Sequence, residues 1–171
     1  SGPDAEKFVS HVFSNDIAGM EDGKILYGMM LYPNGTTVDD LLVYKEFEPD
    51  HYLLVVNASN TDKDLAHFAK YLPDFDCTIT NITDTCSSIA VQGPEAERIL
   101  KTLSGGAEIT GPRKNDLGEV SMEGHVVRAS KTGYTGDPIG WELFIDAADV
   151  TWLWNRLIEL GYLAEGEEDG P

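Results

Sequence analysis

The sequence has few basic residues and no long apolar run. Twelve lysines and arginines stand against thirty aspartates and glutamates, which gives a formal net charge of −18. So acidic a chain repels phosphate backbones and anionic lipid surfaces, and we expect neither nucleic acid nor a membrane as a partner. No segment approaches the roughly 18 consecutive apolar residues of a membrane span, and the N-terminus lacks the pattern of a signal peptide. These features predict a soluble, cytoplasmic protein.

Metal-ligand patterns and the common catalytic motifs are also missing. Cys77 and Cys86 lie outside any CxxC pattern, so we expect buried thiols rather than a disulfide or a metal site. The four histidines do not have HxxH or HxxxH spacing, and no metal is predicted. The sequence contains no GxxxxGK[ST] phosphate loop, no GxGxxG turn after a strand, no GxSxG elbow and no HExxH motif. The sequence therefore does not support the common nucleotide-binding or hydrolase classes.

Apolar spacing over residues 1–83 predicts an α+β unit. A helix over "PDAEKFVSHVFSN" precedes two strands around the Asn-Gly turn at Asn34 and a third strand over "DHYLLVVN". Asn60 is placed to cap a helix that begins at Thr61, and "DCTITNIT" resembles a fourth strand. The apolar stripe of this second helix is expected at Leu65, Phe68, Ala69 and Leu72. The order of these elements indicates a ferredoxin-like two-layer unit.

Residues 84–171 begin a second pattern of strands and helices. A strand over "CSSIAVQG", a helix over "PEAERILKTLSG" and an antiparallel pair over "GEVSMEGHVVRAS" come first. The strand "GWELFI" and a helix capped by Asp146 follow. The apolar stripe of this last helix is expected at Val150, Leu153, Trp154, Leu157 and Ile158. So few helices and strands are not enough to enclose a complete hydrophobic core. We therefore expect part of a second antiparallel-sheet α+β domain.

The segment "VDDLLVY" carries two adjacent acids at the start of an apolar strand. Because successive side chains of a strand alternate between its two faces, Val38, Asp40, Leu42 and Tyr44 are expected on one face. Asp39 is expected on the other. Since both faces are apolar, the strand is expected to be covered on both sides, with one acid near a buried boundary. Such a carboxylate suits proton transfer or pairing with a cation, but a strand-end acid bonded to backbone N–H groups is the simpler alternative. Tyr27, across the hairpin, either approaches this acid or is an ordinary packed tyrosine.

Two further segments contain residues that suit a ligand. Asn57 and Asn60 lie at a helix N-terminus, where capping accounts for Asn60, and Asn57 either has a structural role or offers its amide to a ligand. In "KTGYTGDPIGWEL" three glycines surround Tyr134 ahead of a strand that carries Glu142. This loop suits the close approach of a planar ligand, although an ordinary turn is the alternative.

Taken in order, four segments resemble one family. "GKILYGMMLYPNGTTVDDLLVY", "YLLVVNASNTDKDL", "ITDTCSSIAVQGPEAERIL" and "KTGYTGDPIGWELF" are similar to the folate-binding portion of aminomethyltransferase, the T-protein of the glycine cleavage system. The resemblance covers nearly all 171 residues. It implies a ferredoxin-like first unit, and it implies that the chain is a fragment without the family's N-terminal segment and C-terminal β-barrel domain.

The resemblance also implies a reaction and its participants. A one-carbon unit passes from an aminomethyl group, held on the lipoyl-bearing carrier protein of the system, to tetrahydrofolate, and ammonia is released without any metal. Asp40 matches the catalytic carboxylate. The residues expected to contact folate are Tyr27, Asp40, Leu42, Asn57, Tyr134 and Glu142.

Three alternatives stay open beside this interpretation. The folate-dependent module of sarcosine or dimethylglycine oxidases shares the fold and the aspartate. A non-catalytic folate-binding protein is the second alternative, and an isolated fragment that folds without binding a ligand tightly is the third.

Overall fold

The computed structural model describes residues 1–110, 114–132 and 139–164, with side chains as far as Gly161. The chain divides into two compact units, Ser1–Thr80 and Asn81–Pro171, and the boundary expected at residue 83 falls in the same loop. None of the helices in the described ranges has the length and apolar character that crossing a membrane requires.

Helices and strands alternate in the pattern of an α+β protein. In chain order they are α1 (Ala5–Val12), β1 (Ile25–Leu31), β2 (Thr37–Lys45), β3 (Tyr52–Val56), α2 (Thr61–Tyr71), β4 (Cys86–Gln92), α3 (Ala96–Leu103), β5 (Leu117–Met122), β6 (His125–Ser130), β7 (Gly140–Asp146) and α4 (Val150–Ala164). Strands β1, β2 and β3 form one antiparallel sheet in that order, and the second sheet has the order β4-β7-β6-β5. The predicted α+β class with antiparallel sheets is confirmed.

The hairpin between β1 and β2 turns where the Asn-Gly signal predicted. Gly35 has a φ of +84°, in the left-handed region that glycine adopts without steric cost. The side-chain oxygen of Asn34 accepts hydrogen bonds from the backbone N–H and the hydroxyl of Thr36, at 3.1 and 2.8 Å. These contacts close the turn and set the register of the two strands.

A β-bulge interrupts the hairpin just before the paired acids. Met30 pairs with Asp39 whereas Leu31 pairs with Thr37, so Val38 is an extra residue in β2. Val38 consequently joins the core below the sheet and does not share a face with Asp40, contrary to the simple alternation expected from the sequence.

Beyond the bulge, the two faces of β2 are distinct. Asp39, Leu41 and Val43 alternate onto the face that packs with the helices, and Asp40 and Leu42 lie on the opposite face. The strand is buried from Leu41 to its end, as its apolar composition predicted. The two neighbouring carboxylates therefore leave the backbone in opposite directions.

The core of the first unit joins both helices to this sheet. Its buried members are Phe8, Val9, Val12, Phe13, Ile17, Met30, Val38, Leu41, Val43 and Phe68. The apolar residues of α1, Ala5, Phe8, Val9 and Val12, are all buried, but the stripe predicted for α2 is partly wrong. Ala69 is exposed, whereas Asp64 and His67 are buried beside Phe68. The helix is therefore rotated about its axis, so that a more polar side of it is buried than the apolar spacing predicts.

The fourth strand predicted over "DCTITNIT" is not formed; every residue of this segment is described, and none is assigned to a strand. Thr78 instead exchanges backbone hydrogen bonds with Ser1, at 2.8 and 2.9 Å. Asn81 then starts a turn by accepting a hydrogen bond from the N–H of Thr83. The segment therefore holds Ser1 by backbone hydrogen bonds and connects the first unit to the second.

The second unit packs α3 and α4 against its sheet. The most deeply buried residues of its core, at most 1% exposed, include Leu100, Leu103, Val127, Leu143 and Leu153. In α4 the buried residues Leu153, Leu157 and Leu160 follow helical spacing, but Trp154 and Ile158 are 55% and 45% exposed. The apolar stripe predicted for α4 was therefore wrong at these two positions, because the helix buries the adjacent face.

Candidate functional site

The Asp40 carboxylate is held at both of its oxygens. The hydroxyl of Tyr27 donates to Oδ2 at 2.9 Å, and the Nδ2 amide of Asn57 donates to Oδ1 at 3.0 Å. Tyr27 pairs with Leu42 in the hairpin, so its side chain reaches Asp40 along the diagonal between neighbouring strands. The hydrogen bond and the negative charge of Asp40 raise the pKa of Tyr27, and the phenol remains a donor.

The Asn57 amide joins Asp40 to Asp39. Asn57 directly follows β3 and stands level with Asp40, because Leu41 pairs with Val56. At this strand end, its Nδ2 group also lies 2.9 Å from Asp39 Oδ1 and 3.2 Å from the carbonyl oxygen of Asp40. One amide thus bridges two carboxylates that point to opposite faces of the sheet.

Asp39 is the buried member of the pair, with 6% of its surface exposed. Its Oδ1 also accepts a hydrogen bond from the Asn60 amide at 2.8 Å. Burial alone raises the pKa of Asp39, but hydrogen bonds involving Asn57, Asp64 and Asn60 outweigh it, and the net pKa is lowered. The expected helix cap at Asn60 is wrong, since its side chain makes no capping bond to α2 and binds Asp39 instead.

Asp64 lies beneath Asp39 on the first turn of α2 and is 1% exposed. Burial, a hydrogen bond with Asp39 and the charge of Asp39 raise the pKa of Asp64 to about 7, against a smaller opposing effect of Lys63. In the geometry, Asp39 Oδ2 and both Asp64 oxygens are buried without a hydrogen-bond partner among the described residues. The raised pKa favours the protonated form of the Asp64 carboxyl below neutral pH.

Apolar side chains accompany Asp40 on its face of the sheet. Leu42 is buried, whereas Tyr27 and Met29 are 52% and 42% exposed. Met29 pairs with Asp40 directly across the hairpin. A charged group with fixed orientation thus lies beside exposed aromatic and thioether surface, which suits a flat ligand that carries polar nitrogens.

The remaining predicted site residues lie in the second unit. Glu142 is a buried carboxylate on β7, and the hydroxyl of Thr132 donates to its Oε2 at 2.5 Å. Ser130 and Thr132 share a further hydroxyl contact of 2.9 Å. Tyr134 lies outside the described residues. Tyr27 and Asn57 thus each contact Asp40, and Leu42 lies on the same face of β2, paired with Tyr27.

Three residues close to this site are not among the site residues that the sequence predicts. The sequence predicts a helix cap at Asn60 and no ligand-binding role for Asp39 or Asp64. The spacing of Asp64 and Phe68, one helical turn apart, was the available signal that the acid lies on the buried face of α2. An acid in the first turn of a helix is usually explained by the helix dipole, which concealed that signal.

In chemical terms, the arrangement offers a carboxylate with one neutral donor on each oxygen. Each oxygen of such a group retains capacity for another hydrogen bond. The carboxylate can accept a proton or a hydrogen bond from a ligand nitrogen, and it can stabilise positive charge that develops nearby.

Comparison with known proteins finds one matching family and several relatives of similar sequence. Residues 1–168 match the family described as "GCVT N-terminal domain". The aminomethyltransferase of Alkaliphilus oremlandii is 44% identical over 160 residues, which cover 94% of this chain and 43% of that protein. The aminomethyltransferase of Bacillus subtilis is 39% identical over 162 residues, covering 94% of this chain and 44% of the relative.

Comparison with solved structures also finds an aminomethyltransferase. The crystal structure of glycine cleavage system aminomethyltransferase T from Bartonella henselae superposes with a TM-score of 0.80 at 25% identity, over 92% of this chain and 41% of that one. The chain thus spans less than half the length of the relatives it matches. The predicted resemblance is confirmed, and the chain belongs to the GCVT N-terminal domain family, the aminomethyltransferase family of the glycine cleavage system.

Proposed function

We propose that this chain carries the tetrahydrofolate-binding part of an aminomethyltransferase of the glycine cleavage system. The enzyme transfers a one-carbon unit from a lipoyl-bound aminomethyl group to tetrahydrofolate and releases ammonia. The observation that carries this proposal is the Asp40 carboxylate, bonded to Tyr27 and Asn57 beside exposed apolar surface. Membership of the family supports it.

The proposed reaction is balanced without a protein nucleophile or a metal. The two folate nitrogens N5 and N10 each form a bond to the transferred carbon and each lose a proton. The bonds from this carbon to nitrogen and to sulfur break, and the two protons leave on ammonia and on the lipoyl thiol. A cationic iminium-like carbon arises between these steps, where a fixed negative charge is most useful.

Asp40 supplies that charge in this proposal. Its carboxylate accepts a hydrogen bond from a folate nitrogen, orients the nitrogen toward the carbon and stabilises the cation. Tyr27 and Asn57 hold the carboxylate in one orientation through the contacts described above. Leu42 contributes apolar surface, while Glu142 and Tyr134 are proposed as further folate contacts from the second unit.

The carrier follows from the family rather than from the site. We propose the lipoyl-bearing carrier protein of the glycine cleavage system as the partner that delivers the aminomethyl group. The cytoplasmic location expected from the sequence stays a prediction.

The test replaces Asp40 by asparagine, which preserves size but removes the charge and the basic oxygen. In the full-length protein that contains this chain, Asp40→Asn should slow methylenetetrahydrofolate formation by about 10² to 10⁴-fold, the usual contribution of a positioned acid–base group. Tetrahydrofolate affinity, followed by calorimetry, should change much less. The exposed acid Asp62 on α2 provides the matched control, since Asp62→Asn makes the same chemical change away from the site.

Two results would argue against the proposal. Transfer within about twofold of the unmodified protein after Asp40→Asn would remove Asp40 from the reaction. Tight tetrahydrofolate binding without any transfer by the unmodified protein would instead indicate a non-catalytic folate-binding protein.

A further inference from the structure

A buried carboxylate lies on β7, on the face of the second sheet that is turned away from α3 and α4. Trp141, Leu143 and Ile145 belong to the core that packs with these helices, so Glu142 points to the opposite face. Glu142 is nevertheless buried, with 8% of its surface exposed. A carboxylate in such a place needs hydrogen-bond donors close by.

Two hydroxyl groups from the neighbouring strand approach this carboxylate. Ser130, the last residue of β6, pairs directly with Glu142 across the sheet. Thr132 follows two residues later, and its hydroxyl donates to Glu142 Oε2 at 2.5 Å. The hydroxyl oxygens of Ser130 and Thr132 are 2.9 Å apart, and the two residues are 0% and 5% exposed. The three side chains therefore form one buried cluster.

The direction of the two hydrogen bonds follows from the number of protons. A threonine hydroxyl carries a single proton, and Thr132 places it on the carboxylate. The contact between the two hydroxyls then runs from Ser130 to Thr132. A hydroxyl that accepts one hydrogen bond donates a stronger one, so the Ser130 hydroxyl reinforces the bond to Glu142. The series of bonds is therefore directed toward the carboxylate.

We propose that Thr132 is a positioning residue for Glu142, and that Ser130 supports it by donating to the Thr132 hydroxyl. The inference rests on the proposed function, in which Glu142 contacts folate, and it adds two residues outside the predicted set of folate contacts. A glutamate side chain is long and flexible, and a short bond to one of its oxygens leaves the carboxylate few orientations. A folate N–H group then meets an acceptor whose direction is already set.

The backbone that carries the two hydroxyls is itself held in place. Ser130 belongs to β6, which lies between β5 and β7 in the sheet. The N–H of Lys131 donates to the carbonyl oxygen of Asp116 at 2.9 Å, and the Lys131 carbonyl oxygen accepts from the N–H of Asn115 at 2.9 Å. Thr132 thus directly follows backbone that is bonded to a neighbouring segment. Side chains on such a rigid element position a site more precisely than side chains on a free loop.

A purely structural role predicts a different response to mutation. If the hydroxyls only satisfied a buried acid, their loss would lower the free energy of unfolding and leave ligand affinity unchanged in the folded protein. A positioning role requires that affinity change as well, and that the change depend on the carboxylate. Urea denaturation of each variant measures stability separately from affinity.

The first experiment measures tetrahydrofolate affinity by calorimetry in the full-length protein. Thr132→Val keeps the shape of the side chain and removes the hydroxyl, and affinity should fall about tenfold or more, because hydrogen bonds to charged groups are the strong ones. Thr132→Ser keeps the hydroxyl and should stay within about threefold of the unmodified protein. Thr151→Val, the same change at an exposed position of α4, should leave affinity unchanged.

A double-mutant cycle tests whether Thr132 acts through Glu142. Glu142→Ala leaves no carboxylate to orient, so the addition of Thr132→Val should then change affinity by less than about twofold. Ser130→Ala should weaken binding less than Thr132→Val, because its hydroxyl reaches Glu142 only through Thr132. If Glu142→Ala does not fold, the comparison of Thr132→Val with Thr132→Ser decides alone. Unchanged affinity in Thr132→Val, an equal loss in Thr132→Ser, or a full loss in the Glu142→Ala background would overturn the proposal.

The second experiment requires no ligand. The ¹³C carboxyl signal of Glu142, identified by its absence from Glu142→Gln, should move in Thr132→Val and keep its position in Thr132→Ser. A signal that is the same in both variants would show that the hydroxyl does not hold the carboxylate, and the proposal would be wrong. Tetrahydrofolate affinity that Glu142→Ala leaves unchanged would instead refute the folate contact assigned to Glu142 in the proposed function, while the carboxyl signal would still test the positioning role.

Discussion

Gly28, on β1 between Tyr27 and Met29, allows the end of α1 to approach the sheet. A Cβ atom at this position would lie 2.6 Å from two ring carbons of Phe13 and 3.3 Å from the hydroxyl of Ser14. Phe13 is 5% exposed and belongs to the core. Because Gly28 does not have a positive φ, alanine meets no backbone strain there, and the effect of Gly28→Ala measures crowding alone.

The magnitude combines two opposing effects. Forcing one extra methyl group into a packed core costs about 1–3 kcal/mol, because the aromatic ring and its neighbours must move. Replacing glycine by alanine also restricts the unfolded chain, which returns about 0.4–1 kcal/mol. We therefore expect Gly28→Ala to lower the free energy of unfolding by about 1–2 kcal/mol, measured by urea denaturation followed by circular dichroism.

A double-mutant cycle identifies the cause. In a Phe13→Leu background the ring carbons that crowd Gly28 are absent, so Gly28→Ala should cost at least about 1 kcal/mol less than in the unmodified chain. Gly161 provides a control of opposite sign, since its added Cβ meets nothing within 4 Å in α4 and Gly161→Ala should stabilise by up to about 1 kcal/mol. A Gly28→Ala cost that is absent, or equal in both backgrounds, would refute the steric argument.

Three further predictions concern stability. Gly118→Ala should cost more than Gly28→Ala in thermal unfolding, because its Cβ would lie 2.1 Å from the carbonyl oxygen of Ile109, a backbone atom that cannot rotate away. Leu143→Ala, at a fully buried position, should cost about 2–5 kcal/mol in urea denaturation. Because the pKa of Asp64 is raised from 3.8 to about 7, its contribution to stability is largest below pH 3.8 and declines as pH rises to about 7. In the unmodified chain this decline in the free energy of unfolding should amount to up to about 4 kcal/mol, and denaturation of Asp64→Asn across the same range should not show it. If the two chains have the same pH profile, the prediction is contradicted.

Most of the secondary structure could be predicted because local patterns and tertiary packing agree. The hairpin follows from an Asn-Gly turn whose conformation the structure retains. The apolar positions of α1 are buried as expected, since that helix has one clearly apolar face. Where a single pattern dominates a segment, the surrounding fold has little reason to override it.

The failures occur where two faces of an element were almost equally suitable for burial. In α4 the adjacent apolar positions around Leu153 and Trp154 left the rotation of the helix undecided, and contact with the sheet selected Leu153. In α2 the acid Asp64 is buried, and burial together with Asp39 raises its pKa to about 7, which no pattern of apolar spacing expresses. A strand over "DCTITNIT" required a neighbouring strand to pair with, and its backbone at Thr78 bonds to Ser1 instead.

Part of the geometry around Asp40 could be predicted from the sequence. Pairing across the hairpin predicts that Tyr27 can approach Asp40, and the structure shows that contact, while the bond from Asn57 to Asp40 was not predicted. The contacts of Asp39 with Asn57 and Asn60 depend on the relative placement of β2 and α2. That placement is a tertiary property and could not be inferred from the spacing of residues along the chain.

The extra residue at Val38 has a consequence for how this hairpin can vary in length during evolution. Loss of Val38 would remove the bulge and leave Met30 opposite Asp39, so the two acids would keep their faces. Gain or loss of one residue in the turn over 32–36 would be absorbed by the loop. Loss of one residue between Leu41 and Tyr44 would instead invert every side chain on one side of the gap. Related sequences should therefore place their insertions and deletions at the turn or at the bulge, and the stretch from Asp39 to Tyr44 should have constant length.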